Sequence, residues 1–401
     1  MKLTKLSLAA IIAVGALSTF ASATPIEEAI KGVDVSGFVR YRYYYGTEFV
    51  ASNSINSAFN GTTEDKESYN RYSASLNVLT PVADSFSAGV SVMAEGGFAE
   101  GERKGNAASY STLASVTGLD KAFFQYSANG LTAKVGKFEI PTPWTESGYN
   151  GNRGNGVLAL YKASDAVTVA GAYYNQVSGT VTANLGIGER DLYALAAIGS
   201  VGPVGLQLWA AHNVQAFDAV YGEVTLNLSG IYAKGQVNWL KLADETVAAL
   251  NIDKDKDSNV FFGIEGGYKG EIDNVAFNAI VGYTNNGKDQ GIYALDNDND
   301  GFIKFGKQLY YFTTNEADTQ VFFLKGGAVV DKFGIEVGVG QAQFKSEVGD
   351  WKPLEGYLTG TFNYAKNFGF ELYYSYLNLD DEKVNNEDVN HEIRFQAQYK
   401  F

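Results

Sequence analysis

The most specific chemical motif in the sequence is a run of alternating aspartates from Asp296 to Gly301, with the sequence DNDNDG. This spacing matches the first half of a calcium-binding EF-hand loop, because alternate carboxylates can converge on one hard cation and glycine permits the sharp turn. Lys307 stands where that loop would supply its bidentate glutamate, and no flanking helices are predicted. The motif is therefore not an EF-hand. Asp296, Asp298 and Asp300 form either a calcium-binding loop or a solvated acidic loop.

A second group of chemically active residues consists of arginines on the polar side of alternating segments. They are Arg40, Arg42, Arg71 and Arg394. The segments that carry them are the first, second and last predicted strands, which are neighbours in a closed barrel. The pattern predicts a basic ladder on one wall. It faces acids across a constriction, which would create a transverse field, or pairs with acids of the wall itself, and the two roles are compatible. The acids expected to face it are Glu139 and Glu146, on an inward loop over residues 139–154, and the Asp296–Asp300 run.

The composition argues against an enzyme and against a nucleic-acid binder. The chain has no cysteine, which excludes a thiolate metal site, a cysteine nucleophile and a disulfide framework. Its two histidines, His212 and His391, are far apart and lack a visible catalytic partner set. The formal net charge is −14. An acidic balance suits cations and disfavours binding to nucleic acid.

These residues would be positioned by strands, because apolar and polar residues alternate with a period of two from end to end. In the first segment Val35, Val39 and Tyr41 fall on one face, and Arg40 and Arg42 fall on the other. The alternation predicts eighteen strands. They lie near residues 33–45, 69–79, 85–95, 119–127, 131–138, 155–162, 166–175, 190–199, 203–212, 217–228, 230–241, 259–269, 273–284, 319–330, 332–343, 354–365, 368–379 and 390–401.

The connections between these strands alternate between short turns and mostly long loops. This layout is typical of an outer-membrane barrel, with short periplasmic turns and long extracellular loops. Residues 307–313 could form a nineteenth strand, but a single-chain bacterial barrel usually has an even number. We therefore place them in the loop 285–318. Sixteen strands is the alternative count. The prediction is an all-β, transmembrane antiparallel barrel, with aromatic residues such as Tyr43–Tyr45 and Tyr373–Tyr376 in the interfacial girdles.

Both chain ends carry features of an exported barrel. Residues 1–23 combine Lys2 and Lys5, an apolar stretch and a small-residue cleavage site, which predicts a cleaved signal peptide. Residues 24–401 then form one barrel domain. The last residue, Phe401, ends an amphipathic segment and is interpreted as a signal for the barrel-assembly machinery.

Several stretches share a family pattern. They are residues 23–31 (ATPIEEAIK), 33–43, Gly136-Lys137, Trp144-Thr145, 154–157, 192–200, 207–209, 311–314, 373–380 and 394–401. Together they resemble the major outer membrane porin family of Campylobacter and related epsilonproteobacteria.

This resemblance implies an eighteen-stranded barrel, a homotrimer, passage of small hydrophilic solutes, and surface loops available for adhesion and immune recognition. It also implies calcium at the pore constriction, held by acids of the loop after Trp144-Thr145 and of the loop before Tyr311-Phe312. In the first of these loops Asn150 stands where the family pattern favours an aspartate.

The sequence thus predicts a general diffusion porin of the bacterial outer membrane, weakly cation-selective and in contact with lipid and lipopolysaccharide. Calcium is the one possible cofactor that the sequence indicates. Two alternatives remain open. One is a substrate-specific channel on the same barrel, and the other is an adhesive or structural surface protein whose pore is incidental.

Overall fold

The computed structural model describes residues 32–46, 67–100, 111–147, 151–178, 189–249, 251–289, 301–310, 313, 317–346, 349–379 and 389–401. The predicted signal peptide lies outside them. The described strands are β1 (Asp34–Gly46), β2 (Glu67–Ala83), β3 (Phe86–Glu100), β4 (Ser111–Ala128), β5 (Leu131–Glu139), β6 (Arg153–Lys162), β7 (Val167–Val177), β8 (Leu192–Val201), β9 (Val204–Asn213), β10 (Phe217–Leu228), β11 (Ile231–Leu242), β12 (Ser258–Ile272), β13 (Val275–Asn286), β14 (Thr319–Val330), β15 (Phe333–Ser346), β16 (Gly349–Trp351), β17 (Leu354–Ala365), β18 (Phe368–Asn378) and β19 (Val389–Lys400). A short helix, α1 (Asp244–Ala249), and a 3-10 turn (Lys254–Lys256) lie between β11 and β12.

The strands form one closed antiparallel barrel of eighteen strands. Each wall strand pairs with its neighbours in sequence, and β1 pairs with both β2 and β19. The three-residue β16 pairs only with the end of β15, while β17 takes the next place in the wall. The closure leaves no sheet edge along which backbone groups would lack partners in lipid. The predicted count of eighteen is confirmed.

The seam between the first and last strands is completed by Phe401. Gly37 and Phe401 exchange two backbone hydrogen bonds, of 2.9 and 3.0 Å. A Cβ atom on Gly37 would lie 2.8 Å from the Phe401 ring, so glycine lets that ring lie against β1. The ring also stacks on Tyr399, with centroids 6.0 Å apart.

Short turns join the strands at the end of the barrel that contains residues 34 and 400, and one further short connection, residues 214–216 between β9 and β10, lies at the opposite end. Two of the short turns, Asn129-Gly130 and Ser229-Gly230, have positive φ at both positions. This is the type I′ geometry, whose twist matches that of the flanking strands. The longer connections leave from the opposite end, as predicted.

The two faces of the wall are reversed relative to a water-soluble protein. Large apolar side chains such as Val237 (50%), Leu195 (66%) and Phe322 (52%) are exposed on the outer face. Polar side chains such as Asn238 and Glu355 are fully buried on the inner face. This is the alternation of a barrel with an apolar exterior and a polar interior. No helix in the described part of the chain is long and apolar enough to cross a membrane.

Candidate pore constriction

The first inward segment is the described part of the loop between β5 and β6, residues 140–147 and 151–152. Its Trp144 is 1% exposed, and the indole Nε1 donates a 2.8 Å hydrogen bond to Asn238 Oδ1 on the inner face of β11. The Trp144 ring also meets Tyr221 of β10 edge-on, with centroids 6.4 Å apart. The loop therefore leaves the wall at β5 and is anchored to it again at β10 and β11. The predicted inward fold of this loop agrees with these contacts.

Local hydrogen bonds hold the two ends of this segment together. Thr145 Oγ1 donates to the Ile140 carbonyl at 2.6 Å, and Asn152 Oδ1 accepts from the Glu146 N–H at 3.0 Å. Asn152 Nδ2 donates to the Ser178 carbonyl. These buried side chains replace the pairing that the loop backbone lacks.

The second inward segment is residues 301–310, between β13 and β14. Phe302 meets Phe261 of β12 edge-on, with centroids 5.0 Å apart. Phe305 stacks on Phe323 of β14 at 5.2 Å and packs on Tyr357 of β17 at 5.5 Å. The segment thus follows the inner wall from β12 to β17. Its described residues form no strand, so the described part of 307–313 belongs to the loop, as predicted.

The two inward segments contact each other inside the barrel. Gly301 packs so closely on Pro143 that a Cβ there would lie 2.3 Å from the Pro143 carbonyl oxygen. Lys304 of the second segment interacts with Glu146 of the first. Burial lowers the pKa of Lys304 to about 8, because it disfavours the charged amine, and the Glu146 charge partly offsets that effect. The segments therefore form one continuous inner layer that carries charge.

The predicted arginine ladder lies on the adjoining part of the wall, β19, β1 and β2. Arg42 stands directly opposite Arg71 on one side and Gln396 on the other. Arg40 is opposite Ser73, and Arg394 is opposite Tyr44. All four point inward, since residues of the other parity, such as Val39 (55%) and Tyr72 (45%), are exposed on the outer face.

The ladder is partly compensated by neighbouring groups of the same wall. Arg71 forms an ion pair with Glu95 of β3, and Arg394 lies 2.5 Å from Glu371 of β18. Arg42 instead donates to uncharged acceptors, Gln396 at 2.6 Å and the Tyr44 hydroxyl at 3.3 Å. Arg71 and Arg394 therefore pair with acids of the wall itself.

Between the ladder and the second inward segment, cationic side chains lie beside aromatic rings. The Lys307 amine lies 5.4 Å from the Tyr373 ring centre. The Arg394 guanidinium lies 4.5 Å from the same ring and 5.9 Å from the Tyr44 ring. Tyr373 is 3% exposed, so it faces inward together with Tyr44. Assigning these two tyrosines to an interfacial girdle was wrong, because strand alternation places only their neighbours on the outer face.

The remaining predicted residues have separate positions. Glu139 ends β5 and lies 3.9 Å from Arg153 of β6, whose guanidinium binds Asp120 at 2.9 and 3.2 Å. That Glu139 and Glu146 face the ladder stays a prediction. Asp296, Asp298 and Asp300 lie outside the described residues. Within the described ranges, no group of three or more acidic, histidine or cysteine side chains is arranged to hold a metal ion.

Sequence reasoning missed the residues that fasten the inward segments. Asn238 accepts a hydrogen bond from the Trp144 indole. Gln236 accepts from the Ile303 N–H, and Glu355 accepts from the Lys307 N–H. The parity of Asn238, Gln236 and Glu355 within predicted strands shows that they face inward. What they bind depends on the path of a loop, which alternation does not reveal.

The sequence model of the Campylobacter major outer membrane protein family matches residues 1–401. The chain belongs to this family. Membership in the Campylobacter major outer membrane protein family, together with the barrel, places the chain in the bacterial outer membrane as a porin-type channel. The longer connections are accordingly the extracellular loops.

Several solved structures have a similar fold. Pseudomonas aeruginosa OccK8 (OprE) is 11% identical and has a TM-score of 0.67, with 93% of this chain and 99% of that chain covered. Pseudomonas aeruginosa OccK5 (OpdH) is 12% identical with a TM-score of 0.64, over 92% and 98%. A BenF-like porin from Pseudomonas fluorescens Pf-5 is 10% identical with a TM-score of 0.65, over 92% and 98%. These identities show a common fold alone. No curated protein sequence matches the chain.

Proposed function

We propose that the protein is a general diffusion porin for small hydrophilic solutes and ions. The observation that carries the proposal is the polar inner wall, narrowed by two inward segments that continue into the arginine ladder. Such an arrangement admits solutes by size and orients charged or dipolar ones by the field of the wall. No enzymatic step is part of the proposal.

Weak cation selectivity belongs to the same proposal. It is supported by the formal net charge of −14, since an acidic protein raises the local concentration of cations. The arginine ladder acts in the opposite direction. The reversal potential of the open channel under a salt gradient measures which contribution dominates. A potential of the anion-selective sign would contradict the proposed selectivity.

Single-channel recording in a planar bilayer tests the pore itself. Stepwise openings in groups of three are expected for a homotrimer. Folded barrels that give no channels would overturn the proposed function. Contacts with lipopolysaccharide and with the barrel-assembly machinery are proposed on the basis of the outer-membrane location.

A substrate-specific channel is the second candidate. It is favoured by the alternation of Lys307, Tyr373, Arg394 and Tyr44 along the inner wall, because cations beside aromatic rings suit solutes with an anionic group and a flat body. Liposome swelling separates the candidates. Rates that follow solute size alone support general diffusion, and rates that depend on solute identity at equal size support the specific channel.

A further inference from the structure

The second inward segment is fastened to the wall at both of its ends. At the first end, the Gln236 amide of β11 accepts from the Ile303 N–H at 2.7 Å and donates to the Gly301 carbonyl. Gln236 is 6% exposed. One side chain therefore binds the segment's backbone as a neighbouring strand would.

At the second end, the carboxylate of Glu355 on β17 binds three consecutive backbone N–H groups. Lys307 N–H donates to Oε1 and Leu309 N–H to Oε2, both at 2.7 Å. Gln308 N–H lies between the two oxygens, at 3.3 and 3.2 Å. Successive N–H groups that converge on one point form a nest, which is a binding geometry for anions. A carboxylate of the wall fills this nest.

The surroundings of Glu355 are built for a charged group. Its side chain is fully buried, and burial of a carboxylate is costly unless it is hydrogen-bonded. Besides the three N–H groups, Ser375 Oγ donates to Oε1 at 2.7 Å, and Gln308 Nε2 donates to Ser375 Oγ at 2.9 Å. Hydrogen bonds to an ionised acceptor are about twice as strong as neutral ones, so this set offsets the cost of burial.

Gly306 completes the fit between segment and wall. Its φ is +97°, a conformation that residues with a side chain rarely adopt. A Cβ at this position would also lie 2.1 Å from Glu355 Oε2. The backbone can therefore turn into the nest only because residue 306 is glycine.

We infer that Glu355 is the positioning residue of the second inward segment, and that its carboxylate fixes how far this segment extends into the pore. It also fixes Lys307, whose amine lies beside Tyr373 and hence beside Arg394. The inference rests on the proposed pore function, and it adds the group that holds the constriction in place. Loss of the carboxylate leaves a vacant nest that a small free carboxylate can fill.

The test is single-channel recording of full-length protein carrying Glu355→Ala, with and without formate at constant ionic strength. Loss of the single wild-type conductance level and increased open-channel noise are expected, because one end of the segment is released. Formate is expected to restore the wild-type level by occupying the nest. Glu355→Asp is expected to restore it in part. If Glu355→Ala barrels do not assemble, Glu355→Gln is recorded without formate, since its amide fills the nest but turns N–H groups toward the N–H donors. Wild-type conductance and noise in this variant would overturn the inference.

Glu271→Ala is the control for loss of one carboxylate, because Glu271 is exposed near the short-turn end of β12. Formate should leave the conductance of this variant and of the wild type unchanged. Glu355→Ala channels with wild-type conductance and noise would overturn the inference while the pore function stands. So would altered channels that formate does not restore. Absence of channels from the wild type would refute the pore function instead.

Discussion

Arg42 and Arg71 lie directly opposite each other on β1 and β2, with both side chains on the inner face of the barrel. Like charges in directly opposed positions of a sheet repel each other and destabilise it. The ion pair of Arg71 with Glu95 and the hydrogen bond of Arg42 to Gln396 reduce this cost. The Arg42–Arg71 pair lowers the stability of the sheet but lies on the pore wall. We therefore expect it to act in conduction.

We expect Arg42→Gln to shift the selectivity of the channel toward cations without a loss of stability. The change removes one positive charge from the lumen and also relieves the repulsion with Arg71. The reversal potential under a potassium chloride gradient measures it. Lys162→Gln is the control, since Lys162 pairs with Asp165 at an exposed turn. An equal shift of the reversal potential in both variants, or no shift in either, would show that the arginine ladder does not influence the selectivity.

The selectivity is also expected to depend on pH around the pKa of Lys304, which is about 8. Because this pKa is lowered, the amine is charged below pH 8 and becomes neutral as the pH rises to about 9. Cation preference should therefore increase over this interval. The measurement is the reversal potential from pH 7 to pH 9. A chelator is present so that divalent ions do not bind the Glu146 carboxylate. Lys304→Arg keeps its charge and should abolish the change, and a wild-type profile that stays flat would contradict the prediction.

Trp144→Phe should loosen the first inward segment. It deletes the indole donor to Asn238 and leaves a buried amide oxygen without that partner, at a cost of about 1–3 kcal/mol. Heat-induced unfolding of the purified barrel reports the stability, and single-channel conductance reports the constriction. Trp209→Phe removes a 2.8 Å bond to Gln207 within the wall. It should affect stability without changing conductance. Equal conductance changes in both variants would argue against a specific anchor.

Calcium at the constriction is tested by chelation. If Asp296, Asp298 and Asp300 bind calcium there, chelation changes the conductance, and replacing all three by asparagine removes the response. Asp253→Asn with Asp255→Asn, in the β11–β12 connection, is the control. A response to chelation that survives the triple replacement would assign calcium to other residues. No response in the wild type would make the run a solvated acidic loop.

Deletion of Phe401 should reduce the amount of barrel in the outer membrane more than it changes the conductance of the barrels that form. The deletion removes the last backbone hydrogen bonds of the seam with Gly37 and the predicted assembly signal. Quantitative blotting of outer-membrane fractions and single-channel recording give the two values. Phe401→Tyr keeps both the backbone bonds and an aromatic ring, so its level should stay near that of the wild type. Normal levels after the deletion would contradict the sorting role.

The strands could be predicted from sequence because each carries its own alternation and is bounded by a turn. Residues 231–242 and 319–330 match their predicted spans to within one residue. The start of β4 was placed at residue 119, whereas the strand begins at Ser111. Its sequence there, STLASVTG, has little apolar alternation, and it pairs with β3 through bulges. Pairing with an established neighbour, rather than local pattern, extends this strand.

The constriction was predictable only in part. Arg42, Arg71 and Arg394 follow from parity and from closure of the barrel, both of which are periodic properties. Gln236 and Glu355 are ordinary polar positions by the same criterion. Their roles arise from contacts with a loop far away in sequence, and no periodic signal reports those contacts.

The pairing of β1 with β19 also constrains how the protein can fold. Arg42 and Gln396, which are bonded across the seam, are 354 positions apart in the chain. Contacts between such distant positions require a large loss of chain entropy before they contribute any stability, and they slow folding. No intact pore can form before residue 401 has been synthesised. Until then the outer apolar surface of every strand must be kept from aggregating, so the nascent chain is expected to depend on a holding chaperone throughout its transit.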